Sequence, residues 1–232
     1  MIDLVITTWI NHPARLEFLA RTLEALKGNL TAGNDEFNTI VSCESEGMTD
    51  EEWGALSAVC GTFPVSRIIR HPEPANLGAH LNFAFAHCKN VVRMYVQDDW
   101  VLRRPLYISE GVKLLQRNRH VAMVRYYTVH AKFSAADVDG WPEIDLRGFG
   151  PYGDNPLLAH RRWLKKTGWF KEGGDPGFHE VQMGSQLRNS GLKAVAPIEV
   201  ADHARSGATR IGDYYFRHIG NISAFDEKRS RG

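Results

Sequence analysis

The stretch Val91–Trp100, "VVRMYVQDDW", decides how this chain is to be read. Its opening "VVRMYV" is an apolar, β-branched run of the kind that forms a buried strand. Its end brings two adjacent acids, Asp98 and Asp99, behind Gln97. A turn needs at most one Asp and a core wants none. Either these carboxylates cap the chain as it leaves the strand, or they hold a hard divalent cation, which takes oxygen ligands and shares them with substrate phosphates.

Working outward, the first half alternates strand and helix patterns. "DLVITT" reads as a strand, and Asn11-His12-Pro13 as a cap with a first-turn proline. Leu16, Leu19, Leu23 and Leu26 then recur at helical spacing. "NTIVSC" is a second strand, and Thr49-Asp50-Glu51-Glu52 a capping box for a helix carrying Trp53, Leu56 and Cys60. "VSRII" is a third strand, followed by a stripe of Leu77, Leu81, Phe85 and Cys88. Beyond "YVQDDW" the spacing predicts a helix from about Pro105, striped by Ile108, Val112 and Leu115, and then a strand, "HVAMVRYY". Such alternation implies parallel strands with right-handed crossovers in an open α/β sheet.

The second half changes character. Residues 134–156 are rich in Gly, Pro, Asp and aromatics and read as loop. "AHRRWLKKTG" reads as a helical piece, His179 to Asn189 as a helix, and "KAVAPIEV" as a closing strand. From His203 the chain is polar, basic and aromatic. We expect one domain over residues 1–232, with a nucleotide-binding half (1–104), an irregular second half (105–203) and a tail (204–232).

With 232 residues, 43% of them hydrophobic, the chain can bury a core without covalent staples. A formal charge of +1 neither requires nor excludes a polyanionic partner. Cys43, Cys60 and Cys88 lack metal-like spacing and read as reduced core thiols. The amino-terminal segment reads at once as a strand, without the basic and apolar regions of a leader, and no apolar run approaches about 18 residues. The expectation is a cytoplasmic protein without a membrane span.

In open α/β sheets, ligands gather at the carboxyl ends of the strands. Four such ends supply polar residues here: Thr7-Thr8-Trp9, Glu44-Ser45, Asn76-Leu77-Gly78 and Gln97-Asp98-Asp99. There is no P-loop lysine motif and no G-x-G-x-x-G, so ATPase and dinucleotide readings lack their phosphate cradle.

The order "DLVITTWINHPARLEFLARTLEAL", "HPEPANLG", "YVQDDWVL" resembles the inverting nucleotide-sugar glycosyltransferases of family two, which have the GT-A fold. "PLLAHRRWLKKTGWFKEG" and "HEVQMGSQLRNSGLKAVA" are similar to that family's stretch before its catalytic helix and to the helix itself. The resemblance covers about residues 2 to 205. It implies a GT-A-type, Rossmann-like open, mostly parallel sheet flanked by helices, with an acceptor-side second half. By the same resemblance Thr7, Thr8 and Trp9 would line the base and ribose, Glu44 (or Ser42 beside it) would contact the base, and Asp98 would touch the ribose. Asn76, Gly78, Asn82 and Gln97 would complete the nucleotide-sugar site. Asp99 would ligate a divalent cation (Mn2+ or Mg2+) with His203, and Glu180 would be the catalytic base.

The chain departs from the family at three points. Gln97 replaces the first acid of the metal motif, leaving that site one charge short. The stretch 76–82 is about two residues shorter than the family pattern and lacks its arginine; His80 or Asn82 are the candidate replacements. His179-Glu180 stands where the family has Glu-Asp.

The implied reaction is metal-dependent, inverting transfer from a nucleotide-diphosphate sugar, a UDP-sugar being the favoured donor, to a hydroxyl acceptor. That acceptor could be a saccharide, a protein, a lipid-linked sugar or a hydroxylated nucleic-acid base. Two rivals remain at this stage: nucleotidyl transfer to a sugar phosphate, and a non-catalytic glycan-binding domain. Alone, Glu180 is also what a first helical turn wants, and His203 what a capped surface wants. Trp141, Tyr152, Trp163, Trp169 and Phe170 suit sugar stacking or core packing equally. The tail, with Arg205, Arg210, Arg217 and His218 among its cations, could clamp a diphosphate, attract nucleic acid or simply be solvated.

Overall fold

A computed structural model of the chain describes residues 1–10, 12–45, 47–71, 76–127, 132–146, 156–173, 178–205 and 214–220. In chain order the first half holds β1 (Ile2–Trp9), α1 (Pro13–Asn29), β2 (Leu30–Thr31), β3 (Phe37–Glu44), α2 (Asp50–Gly61), β4 (Arg67–His71), α3 (Leu77–Ala86), β5 (Val92–Gln97) and β6 (Trp100–Leu102). The second half holds β7 (Leu106–Tyr107), α4 (Ser109–Arg117), β8 (Val121–Arg125), β9 (Phe133–Val138), β10 (Trp141–Ile144), β11 (Leu157–His160), α5 (Arg162–Thr167), α6 (Phe178–Asn189), β12 (Lys193–Val195), α7 (Ile198–Arg205) and β13 (Phe216–His218).

Nine strands form one sheet in the order β4-β3-β1-β5-β11-β8-β12-β10-β9. The block β4-β3-β1-β5 is parallel throughout. β11 then runs antiparallel between β5 and β8, and β12 returns parallel to β8. Seven of the nine strands point the same way, so the sheet is mostly parallel.

The central strands are apolar on both faces because helices cover both. Leu4, Ile6, Met94 and Val96 pack into one core with Leu19, Leu23, Leu56, Val112 and Leu115 of α1, α2 and α4. Val5 and Tyr95, one residue out of phase, pack into the other with Leu81, Phe85, Trp163, Met183 and Leu187 of α3, α5 and α6. Period-two alternation thus divides each strand between two cores, and each fully buried Leu or Ile contributes about 1.5–3 kcal/mol.

Local chemistry sets the helix starts. The Thr49 capping box forms in both directions, with Glu52 N donating to Thr49 Oγ1 and Thr49 N donating to Glu52 Oε2. α1 begins from His12, whose Nδ1 accepts from Ala14 N; Asn11 lies outside the described residues.

Four expectations change. Ala159-His160 of "AHRRWLKKTG" belong to β11, and the helix α5 begins only at Arg162. Within the stretch read as loop, β9 and β10 form a hairpin across Asp139-Gly140, both at positive φ (52° and 81°), as a two-residue primed turn requires. "KAVAPIEV" is a strand only to Val195. Pro197 cannot donate to a ladder, and its carbonyl accepts from Val200 N and Ala201 N to begin α7. The helix expected from Pro105 starts at Ser109, because Leu106–Tyr107 first pairs with β2.

Candidate active site at the strand ends

β1 and β5 are paired in register up to Thr7 and Gln97, which brings Thr8 beside the Asp98-Asp99 turn. Thr8 Oγ1 donates to Asp98 Oδ2 at 2.6 Å, and Thr7 Oγ1 lies 3.1 Å from Tyr95 Oη. Trp9 and Glu44 are register partners at the neighbouring ends of β1 and β3. Gln97 Oε1 accepts from Trp100 Nε1 at 3.3 Å, which closes the turn between β5 and β6.

The acids are held from two further directions that sequence reading did not assign. Arg15, in the first turns of α1, donates from Nη1 to Asp98 Oδ1 at 2.9 Å and to Asp99 Oδ2 at 3.2 Å. Thr22, two helical turns on, donates to the Asp98 carbonyl at 2.7 Å. From the other side β13 pairs with β6 and lays His218 against the turn, with Nε2 3.1 Å from Asp99 Oδ2. Ile219 N donates to the Asp99 carbonyl, and a Cβ on Gly220 would crowd the Asp99 side chain, with Asp99 Cβ and Cγ at 3.1 Å.

Asp98 and Asp99 are 3% and 6% exposed, so their charges are poorly solvated. Burial pushes the Asp98 carboxyl up, opposed by Arg15 and reinforced by Asp99. Burial pushes Asp99 the same way, but the hydrogen bond and charge of His218, together with Arg15, outweigh it and hold Asp99 low. His218 is correspondingly raised by its bond to Asp99. Asp99 Oδ1 and Arg15 Nε are both buried with no hydrogen-bond partner among the described residues. An unpaired acceptor and an unpaired donor in one cluster are expensive in a folded chain, and they mark a place where a ligand would satisfy both.

α3 joins this half to the next. Asn76 caps it, Oδ1 accepting from Ala79 N. Asn82 donates to the Phe170 carbonyl and to Glu172 Oε1, and accepts from Phe170 N, pinning the loop that leads to α6. A Cβ on Gly78 would lie 2.5 Å from the Lys171 carbonyl and 3.1 Å from His179 Cβ. The missing side chain therefore lets α3 meet the start of α6, where His179 is buried and Glu180 half-buried in the first turn. Gly78 and Asn82 thus serve this junction, while Asn76 caps α3.

His203 lies on α7 with its ring 5.9 Å from that of Tyr214. The imidazole at hydrogen-bond distance from Asp99 is that of His218. Among the expected stacking residues, Trp163 and Phe170 are core, Trp169 is half-exposed, and Tyr152 lies outside the described residues. Arg210 lies outside them as well.

His80 on α3 is buried beside the end of β3, its Nε2 3.0 Å from Ser42 Oγ. Burial, with His71 nearby, lowers it from the ordinary 6.5 to about 4. A buried base with a lowered pKa contributes stability that is fully present above 6.5 and is lost as pH falls through about 4. The wild type should therefore lose roughly 3 kcal/mol more than His80→Gln between pH 7 and 4, at about 1.36 kcal/mol per pH unit. Urea melts of both proteins across that range check it; parallel pH profiles would refute it.

No family model matches the chain, and no curated protein matches it. Solved structures do. A mannosyltransferase from Pyrobaculum calidifontis, solved with GDP-Man and Mn2+, is similar at TM-score 0.58 and 16% identity, over 84% of this chain and 54% of that one. S. aureus TarS 1-349 with UDP-GlcNAc is similar at TM-score 0.60 and 11% identity, over 96% of this chain and 61% of that one. TarS in a longer form aligns at TM-score 0.61 and 11% identity over 97% of this chain, which spans 38% of it. The chain thus matches about half the length of these proteins, and its fold is that of the GT-A-type glycosyltransferases.

Proposed function

We propose that the chain transfers a sugar from a nucleotide-diphosphate sugar to a hydroxyl acceptor, with inversion at the anomeric carbon. The observation that carries this reading is the Asp98-Asp99 turn, at the carboxyl end of a central strand in a GT-A fold, with one buried Asp99 oxygen unpaired among the described residues. The similar proteins were solved with GDP-Man and with UDP-GlcNAc, which supports a donor of this class. We keep a UDP-sugar as the favoured donor.

The donor set fits a divalent cation. Asp99 Oδ1 is a carboxylate oxygen without a partner among the described residues, and the His218 imidazole stands beside the same group; the carboxylate oxygen suits Mn2+ or Mg2+, and an imidazole beside it favours Mn2+ of the two. We assign the ligand roles to Asp99 and His218, since the His203 ring stands against Tyr214. Among the described residues no group of three or more His, Cys, Asp or Glu could hold a metal ion by itself. Diphosphate oxygens and water would supply the other ligands, as is usual for such cations. When bound, the cation offsets the charge that develops on the departing nucleoside diphosphate.

The protein's own groups do the rest. Thr7, Thr8, Trp9 and Glu44 line the nucleotide, while Gln97 shapes the turn. Asp98, with Oδ1 and Oδ2 already engaged, orders Thr8 and Arg15 at the ribose. Glu180, at a helix start that favours its ionised form, takes the proton from the acceptor hydroxyl as that oxygen attacks. The acceptor class stays broad: a saccharide first, with a hydroxylated nucleic-acid base as a variant. Three free cysteines, with burial pushing each thiol up, fit a reducing compartment such as the cytoplasm. No helix among the described residues is long and apolar enough to cross a membrane.

Turnover of a panel of UDP- and GDP-sugars, with Mn2+, Mg2+ or a chelator, tests the proposal. The expected result is release of nucleoside diphosphate from one donor class, stimulated by the cation. Pyrophosphate release from a nucleoside triphosphate and a sugar phosphate, with every nucleotide sugar inert, would replace this reading with nucleotidyl transfer.

A further inference from the structure

We propose that Arg15 is a built-in counter-ion that competes with the divalent cation for the Asp98-Asp99 turn and sets how tightly the cation binds. The inference rests on the cation site proposed above and concerns its regulation by a neighbouring side chain. Arg15 Nη1 bridges the two carboxylates at 2.9 and 3.2 Å, so one guanidinium already occupies oxygens of both acids. Its side chain is only 12% exposed, and the pair beneath it is nearly dry. Charge is therefore screened weakly, and a second cation on Asp99 Oδ1 meets the field of the first.

With both acids ionised, two carboxylates and one guanidinium sum to −1 where the acids alone would give −2, and His218 against Asp99 can only lower the negative charge further. Affinity for hard cations follows the count of charged ligands. Gln97 lowers that count further by supplying an amide at the strand end. Arg15 is also incompletely satisfied: its Nε is buried without a partner among the described residues, as is Asp99 Oδ1. The guanidinium thus has a hydrogen-bond donor to give to a diphosphate oxygen, and Asp99 an acceptor to give to the cation. The turn can hold its acids together before the donor arrives, and the diphosphate and its cation then complete both unpaired atoms.

The probe is Mn2+ alone, with binding read from loss of the free-manganese paramagnetic resonance signal and no substrate present. Three folded proteins are compared: wild type, Arg15→Gln and Arg15→Lys, with thermal melts to confirm folding. Arg15→Gln should bind Mn2+ about tenfold tighter or more, because the count of negative charge rises. Arg15→Lys keeps the charge, though its ammonium lacks the planar fork, and should tighten Mn2+ binding clearly less than Arg15→Gln. Equal or weaker Mn2+ binding in Arg15→Gln would overturn the proposal, as would equal tightening in both variants. If Arg15→Gln unfolds, Arg15→Met at the same position replaces it, judged by the same criterion. The outcomes separate this inference from the proposed reaction. Tighter Mn2+ in Arg15→Gln with no turnover of any nucleotide sugar would keep the counter-ion and remove the reaction. Turnover of a donor with unchanged Mn2+ affinity would do the reverse.

Discussion

Glu180→Gln should lower sugar transfer by about 10²- to 10⁴-fold, the usual worth of a positioned general base. Donor affinity should stay within about twofold of wild type, because the substitution removes a proton acceptor and little else. Glutamine keeps the length and shape of the side chain, so α6, its buried Met183 and Leu187, and the contact of His179 with α3 are preserved. The carboxylate also sits in a first helical turn, where its charge complements the helix dipole by about 0.3–1 kcal/mol. A melt will register that much, but it cannot account for a hundredfold loss of rate. Single-turnover rates with saturating donor, beside donor binding by calorimetry, separate the two quantities. A parallel loss of both, or no loss of rate, would return Glu180 to the role of a helix cap.

Asp99→Asn should cost as much at the other side of the reaction. The substitution is nearly isosteric and keeps a hydrogen-bonding group facing His218 and Arg15, which limits structural damage. It removes the charge on which cation binding rests. Cation stabilisation of a leaving group is worth several kcal/mol, so kcat/KM should fall by about 10²-fold or more, and added Mn2+ should no longer stimulate turnover. Persistence of Mn2+ stimulation in the variant would move the cation elsewhere. Asp98→Asn should behave differently, weakening the order of Thr8 and Arg15 and raising the Mn2+ concentration needed, while turnover still responds to Mn2+.

Much of this could be read before any coordinates. "DLVITT", "NTIVSC" and "VVRMYV" are strands because their β-branched residues face helices on both sides, and such runs carry their own signal. The Thr49 box and the leucine stripe of α1 are equally local. The hairpin at Asp139-Gly140 was also legible, as an Asp-Gly pair between alternating residues, but the glycine and proline around it drew the whole segment into a loop. β11 was lost differently. "LLAH" is too short to announce a strand, and its place between β5 and β8 is a tertiary fact.

The acids of the site stood out because two adjacent charges after an apolar strand are more than a turn or cap needs. Their partners did not. Arg15 and His218 lie 84 and 119 residues from Asp99, and no spacing rule connects them. A faint signal existed in α1, where Arg15 and Thr22 put polar groups two turns apart on a helix that the sheet buries. His218 had only its place in a basic, aromatic tail, whereas His203 stands where the resemblance implies a metal-binding histidine.

The reversed strand β11 also bears on how the molecule is made. As the chain leaves the ribosome, β1, β3, β4 and β5 can assemble once residue 97 is out, yet β5 then presents an unpaired, apolar edge. Its neighbour, residues 157–160, arrives some sixty residues later and must slip in between β5 and β8. Until then that edge is a template for pairing with another nascent chain. A fragment cut after the acidic turn would keep the hazard for good, so the amino-terminal half is a poor unit for expression or grafting, however complete its motifs look.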